Sequence, residues 1–141
     1  LRGDPKETPE MLREKAAATA KALETYDFVF LHVKATDNAG HDGDFEGKKK
    51  AIENVDREII PALAKTGACL VITGDHSTPC SLKRHSGDEV PVLLHGPGMR
   101  RDRVKKFDEM SCMEGGLGHI DGKDVMPIIL DLLGKAEKCG S

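Results

Sequence analysis

Five side chains in this sequence have the type and placement to hold divalent cations: Asp37, His41, Asp75, His76 and His85. Ionised carboxylate and neutral imidazole suit borderline ions such as Mn²⁺ or Zn²⁺, and no thiolate stands among them to compete. Asp37 and His41 flank Gly40 in Asp37-Asn38-Ala39-Gly40-His41 and are expected to converge from a turn rather than a helix. Asp75 and His76 are neighbours, so their side chains diverge and can serve one ion or straddle two. Two ions about 4 Å apart clamp a phosphoryl group, stabilising both its attacking and its leaving oxygen. Lys34 precedes Asp37 and offers an ammonium for a phosphate, with an ordinary surface lysine a nearly equal reading. Each element is weak alone. An aspartate shortly before a histidine is commonplace, and Asp-His after a strand is often only a turn. Their recurrence at successive strand ends is what points to metal.

The remaining candidates have blander explanations. His32 lies inside an apolar run and reads as a packed or hydrogen-bonded core group. His95 is either structural or a support for the site, and His119 sits in a turn. Ser77, Ser81 and Ser86 are explained by turn chemistry, and Lys48 to Lys50 by a solvated helix face.

These residues need elements to position them. Thr8-Pro9-Glu10 reads as a helix start, with a threonine cap, proline at the first helical position and an acid in the first turn. Leu12, Ala16, Ala20 and Leu23 continue at helical spacing, to an end expected near Tyr26. Phe28 to Val33 is an apolar, β-branched and aromatic run that predicts a buried strand. Residues 35 to 47, rich in Asp, Asn and Gly, predict a loop. A helix over roughly 48 to 65 would turn Ile52, Val55, Ile59, Ala62 and Leu63 to one side, with Pro61 kinking or ending it. Cys69 to Thr73 predicts a second strand, a polar loop runs from Gly74 to Glu89, and Val90 to Leu94 predicts a third strand. Pro91 suits the start or edge of that strand. Residues 97 to 122 are irregular, and a last helix begins near Asp124 and stops at Gly134. Helix and apolar strand alternate, so the fold class is α/β with a mainly parallel sheet flanked by helices. Ligands of such sheets gather beyond the carboxyl ends of the strands, where Asp37, Asp75 and His76 fall.

The bulk properties agree with one soluble domain. A chain of 141 residues can bury a core without metal or disulfide support. Its net charge of −3 argues against a nucleic-acid scaffold, and no apolar run suffices to span a bilayer. Cys69, Cys80, Cys112 and Cys139 form no CxxC pair, so neither a zinc finger nor a disulfide framework is indicated. Cys69 reads as a small buried hydrophobe, and a reducing, cytoplasmic setting follows. The opening Leu1-Arg2-Gly3-Asp4, without a methionine, suggests a cut within a longer protein.

Two stretches carry a family resemblance. His32-Val33-Lys34-Ala35-Thr36-Asp37-Asn38-Ala39-Gly40-His41-Asp42-Gly43-Asp44 resembles a signature of the archaeal-type, cofactor-independent phosphoglycerate mutases. Thr73-Gly74-Asp75-His76-Ser77-Thr78-Pro79, followed by His85-Ser86-Gly87-Asp88-Glu89-Val90-Pro91-Val92, resembles a second motif, which is shared more loosely across the alkaline phosphatase superfamily. The likeness runs from Phe28 to Leu133. It implies an alkaline-phosphatase-like fold, with residues 1–141 forming the C-terminal portion of its metal-binding domain. By resemblance, Asp37, His41 and His85 match three ligands of one metal, and Asp75 and His76 match two of the other. The ions would be Mn²⁺ or Zn²⁺, with Mg²⁺ a further candidate, and Lys34 would touch substrate.

The same resemblance implies an enzyme of glycolysis and gluconeogenesis that interconverts 3-phosphoglycerate and 2-phosphoglycerate. It would work through a phosphoserine, without 2,3-bisphosphoglycerate. The family's nucleophilic serine, a further metal-binding aspartate and an inserted substrate domain lie in its N-terminal part, and no serine here has the nucleophile's context. The fragment alone is therefore expected to be inactive, to keep some metal binding, and to self-associate through a face left uncovered. Rival readings are another phosphatase, sulfatase, phosphopentomutase or phosphodiesterase of the superfamily, or a non-catalytic interaction domain. Metal content would separate that last reading from the rest.

Overall fold

The computed structural model describes residues 7–136; Leu1 to Asp4 and Cys139 lie outside them. Its residues divide into two compact units. One comprises the chain up to Ala68 together with Gly74–Val90, and the other Cys69–Thr73 with the residues from Pro91 onward.

The first unit is helical. Thr8 caps α1 (Pro9–Ala22) by accepting from the Met11 amide at 3.3 Å, with proline at the helix start as the sequence predicts. Leu12 and Ala16 on this helix are each 1% exposed and belong to the core. The helix ends at Ala22, short of Tyr26, because the Glu24 and Thr25 amides turn back onto Lys21 and Ala22 carbonyls.

The stretch expected as a loop is instead helical, α2 (Ala35–Asp42). Its composition is poor for a helix, but both of its ends are closed, one of them from far along the chain. Gly43, at φ 73°, caps the C-terminal end and donates to the Ala39 and Gly40 carbonyls. At the other end the Glu7 carboxylate accepts from the amides of Lys34 (2.9 Å) and Ala35 (3.0 Å). The Glu7 side chain is 4% exposed and also pairs with Lys15. Burial pushes its carboxyl up, yet the Lys15 ammonium and the two amides outweigh that and hold it below its ordinary value.

Asp44 caps α3 (Phe45–Glu58) through the Gly47 amide at 2.9 Å. Regular helix is interrupted at Ile59 and resumes as α4 (Ile60–Ala64), the break that Pro61 predicts. Ile59 and Leu63 are buried against α1, and Arg13 of α1 pairs with Glu58 at 2.9 Å. Ile52 and Ala62, expected on the buried side, are exposed. Asn54 is buried instead, its Oδ1 accepting from Arg57 at 2.6 Å. Val55, Ile59 and Leu63, spaced four residues apart, carry the inward side through the break, with Ile59 and Leu63 buried and Val55 half-buried.

Phe28 to Val33 is not a strand. Its exposure alternates: Phe28, Phe30 and His32 stand in solvent while Val29, Leu31 and Val33 are half-buried. The run has the period of a strand but no ladder partner among the described residues. His32 is accordingly a surface group rather than a core one, stacked on Phe30 with ring centroids 6.3 Å apart.

In the second unit β1 (Leu70–Thr73) and β2 (Val92–His95) pair antiparallel, with Leu70 opposite His95 and Thr73 opposite Val92. This corrects the expected mainly parallel sheet for the strands described. The connection between them, Gly74 to Pro91, contains no helix, and a parallel return needs a crossover element. Pro91 stands just before β2, where its missing amide removes no ladder bond. The irregular stretch holds one short helix, α5 (Glu109–Cys112), capped by Asp108. A 3-10 turn at Gly122–Asp124 leads into α6 (Val125–Leu132), whose Ile129 is 6% exposed. Gly134, at φ 65°, ends that helix as predicted. Cys69 is half-buried, and burial raises its thiol pKa. No helix among the described residues is long and apolar enough to cross a membrane.

Candidate metal centre

All five predicted ligands belong to the helical unit, on two segments: α2 and the loop Gly74–Val90. Asp37 and His41 share one face of α2 because residues four apart in a helix are neighbours. The turn geometry expected for them is corrected, but their convergence stands. His76 and His85 are brought together by the loop folding on itself. Ser86 N donates to Ser77 O at 3.1 Å in an isolated antiparallel bridge, and the two imidazoles stack with centroids 3.8 Å apart.

Asp37 is the hub. Its Oδ1 lies 3.6 Å from His41 Nε2, 3.7 Å from His85 Nε2 and 4.0 Å from His76 Nε2. One oxygen of Asp37 and one ring nitrogen each of His76 and His85 all fall within 4.8 Å of one another. Oδ1 also accepts from Thr78 Oγ1 at 2.6 Å, and the second carboxylate oxygen is held by the Lys34 ammonium. Burial favours the neutral acid, but Lys34, Thr78 and nearby His41 override it and bring the Asp37 pKa down to about 2. The carboxylate is thus ionised at any ordinary pH. Lys34 is raised in turn, chiefly by its bond to Asp37, and that bond engages the ammonium that the sequence reading assigned to substrate.

His41 presents a defined nitrogen. Its Nδ1 is 3.2 Å from the Lys83 carbonyl, which can only accept, so Nδ1 carries a proton and Nε2 is turned toward the cluster. Lys83 has φ 53°, a left-handed conformation uncommon for a residue with a Cβ. The His41 Nε2 faces His85 Nε2 at 3.2 Å. Two ring nitrogens that close need a proton or a cation between them.

Asp75 is peripheral: its Oδ2 is 3.5 Å from His76 Nε2, and its side chain is 70% exposed. His95, Cys69 and Cys112 belong to the other unit. Thr78, Glu7 and the Lys83 carbonyl were not singled out by the sequence reading. Thr78 stood within a recognised motif, whereas nothing local marks the other two.

The α2 segment and the loop meet without a spacer. A Cβ on Gly40 would lie 2.4 Å from the Thr78 carbonyl oxygen and 3.0 Å from Thr78 Cγ2. Gly40→Ala should gain about 1 kcal/mol of helix propensity and lose roughly 1–3 kcal/mol to overpacking against backbone. A net loss of stability is therefore expected, read as a lower urea midpoint; an unchanged or raised midpoint would show that the loop yields.

The comparisons with known proteins bear on this geometry. The metalloenzyme superfamily profile matches residues 6–132. A 2,3-bisphosphoglycerate-independent phosphoglycerate mutase of Methanoculleus marisnigri is 48% identical over 130 residues, covering 92% of this chain and 32% of the relative. Phosphoglycerate mutase 1 of the same kind from Archaeoglobus fulgidus is 50% identical over 134 residues, with the same two coverages. Among solved structures, that of the PH0037 protein from Pyrococcus horikoshii superposes with a TM-score of 0.87 at 46% identity, covering 92% of this chain and 40% of that one. The chain thus spans about a third of the length of the curated relatives it matches.

Proposed function

The chain belongs to the metalloenzyme superfamily, and from that premise we propose that the Asp37–His41–His76–His85 cluster, with Asp75 at its margin, holds two divalent cations. The observation that carries this reading is the convergence of three imidazole Nε2 atoms on one half-buried, ionised carboxylate oxygen at 3.6–4.0 Å. Two ligands bound about 2.0–2.1 Å from a tetrahedral zinc lie roughly 3.3–3.4 Å apart. The edges of the Asp37–His41–His85 triangle, 3.6, 3.7 and 3.2 Å, are near that spacing. The donors therefore fit an ion of this kind. We assign Asp37, His41 and His85 to one ion and Asp75 and His76 to the other; the 3.5 Å contact of Asp75 with His76 supports the second pair. Manganese and zinc suit the mixed nitrogen and oxygen donors.

For the polypeptide that contains this chain, we infer an alkaline-phosphatase-like fold and interconversion of 3-phosphoglycerate and 2-phosphoglycerate. The likeness to relatives of that name, at 48–50% identity, supports this. Bound divalent ions supply positive charge to a phosphoryl group in transit, which is the electrostatic work such reactions need. The chain's own residues orient and charge the site. Asp37 is kept ionised, Lys83 fixes the His41 ring, and Lys34 adds an ammonium that a phosphate would have to share with Asp37.

This chain by itself is expected to take up Mn²⁺ or Zn²⁺ without turning over 3-phosphoglycerate, since loss of a nucleophile costs several orders of magnitude in rate. Calorimetric titration and a coupled mutase assay on the purified chain test both halves. Absence of metal uptake would overturn the site; turnover at ordinary enzymatic rates would overturn the assignment of the nucleophile to another segment.

A further inference from the structure

Thr78 is 3% exposed and touches both segments of the cluster through one oxygen. Its Oγ1 is 2.6 Å from Asp37 Oδ1 and 3.1 Å from His76 Nδ1. A hydroxyl has one proton to give. The Asp37 carboxylate can only accept, so that proton goes to Oδ1. The oxygen must then accept from His76, which requires the His76 proton to sit on Nδ1. The consequence falls on the far side of the ring: Nε2 keeps its lone pair and turns it toward Asp75 Oδ2 at 3.5 Å and Asp37 Oδ1 at 4.0 Å. Free imidazole side chains more often carry the proton on the other nitrogen, so this orientation needs a cause.

We propose that Thr78 is a positioning residue that locks His76 in the Nδ1–H tautomer, leaving Nε2 ready to ligate a divalent cation. Its place is itself over-determined. The Lys48 ammonium donates to the Thr78 carbonyl at 2.7 Å, and Gly40 lets α2 press against that same carbonyl. Thr78 therefore has little freedom to turn its hydroxyl away. Partners that orient a ligating histidine through its second nitrogen commonly change metal affinity 10- to 100-fold when removed.

The inference rests on the metal reading for its consequence but not for its geometry, so the test separates the two. The ¹⁵N shifts of the His76 ring, recorded on the metal-free chain at a pH where the ring is neutral, report the tautomer directly. The expected result is Nδ1–H in the wild type and a shift toward Nε2–H in Thr78→Val, which keeps the shape and removes the hydroxyl. Mn²⁺ affinity should fall about 10- to 100-fold in Thr78→Val and recover in Thr78→Ser. A wild-type His76 protonated on Nε2 would overturn the proposal without any variant. So would a Thr78→Val chain with weakened binding and an unchanged tautomer, since the loss would then run through Asp37 alone. A wild type with the Nδ1–H tautomer that takes up no Mn²⁺ would support the contact and overturn the metal reading instead.

Discussion

Asp37→Ala should lower the affinity of this chain for Mn²⁺ by more than 100-fold, the largest single effect on binding expected at the cluster. Removing a partner of a ligand already costs about 10- to 100-fold, and Asp37 is the proposed ligand on which the other donors converge. Three Nε2 atoms lie within 4.0 Å of its Oδ1, and no other carboxylate is so placed among the described residues. The same truncation strips Lys34 of its ion-pair partner and leaves the Thr78 hydroxyl without its acceptor. Asp75→Ala is the matched comparison. With its side chain 70% exposed and one histidine neighbour, Asp75 should matter less than Asp37 by about tenfold or more. Calorimetry on the two variants side by side ranks them, and equal losses would place the hub elsewhere.

Glu7→Ala is expected to destabilise the helical unit by about 2–4 kcal/mol, although Glu7 is no part of the metal cluster. The change deprives two backbone amides of their acceptor and leaves the Lys15 ammonium without its carboxylate. It also removes a negative charge from the start of α2, where the helix dipole favours one. The direction with pH follows from the lowered Glu7 pKa. In the unfolded chain the carboxyl returns to its ordinary 4.5, so that chain binds the proton first as pH falls. The Glu7 contribution is thus fully present above pH 4.5 and fades below it. Urea unfolding of wild type and Glu7→Ala at pH 7 and again near pH 3 should show the gap between them narrowing in acid. A gap that is constant or widens on acidification would mean that the charge of Glu7 is not what holds α2.

Much of the cluster was legible because carboxylate and imidazole recur after successive apolar runs. Asp37, His41, His76 and His85 could be picked by type and by their position after apolar runs, and the structure brings them together. What could not be read was how they are held. The segment carrying Asp37 and His41 has the composition of a loop and becomes a helix because Glu7 closes its amino end from far away in sequence. Local propensity is silent about such a partner. The Pro61 break, the Thr8 cap and the Gly134 stop were legible because each acts within a turn of itself. Sheet direction was misjudged for a specific reason. Alternating helices and strands suggest crossovers, but the stretch between β1 and β2 was already recognisable as a loop without a helix, and that favours an antiparallel return. Phe28 to Val33 shows the opposite failure, since strand-like composition and period do not supply a neighbour to pair with.

The contact between Gly40 and Thr78 sets how closely the two donor-bearing segments approach. Where side chains separate two ligand-bearing segments, substitutions can shim the gap wider or narrower. Here the ruler is the thickness of the main chain itself, a glycine laid against a carbonyl. The separation of the two donor-bearing segments is thus set by the backbone and not by exchangeable side chains.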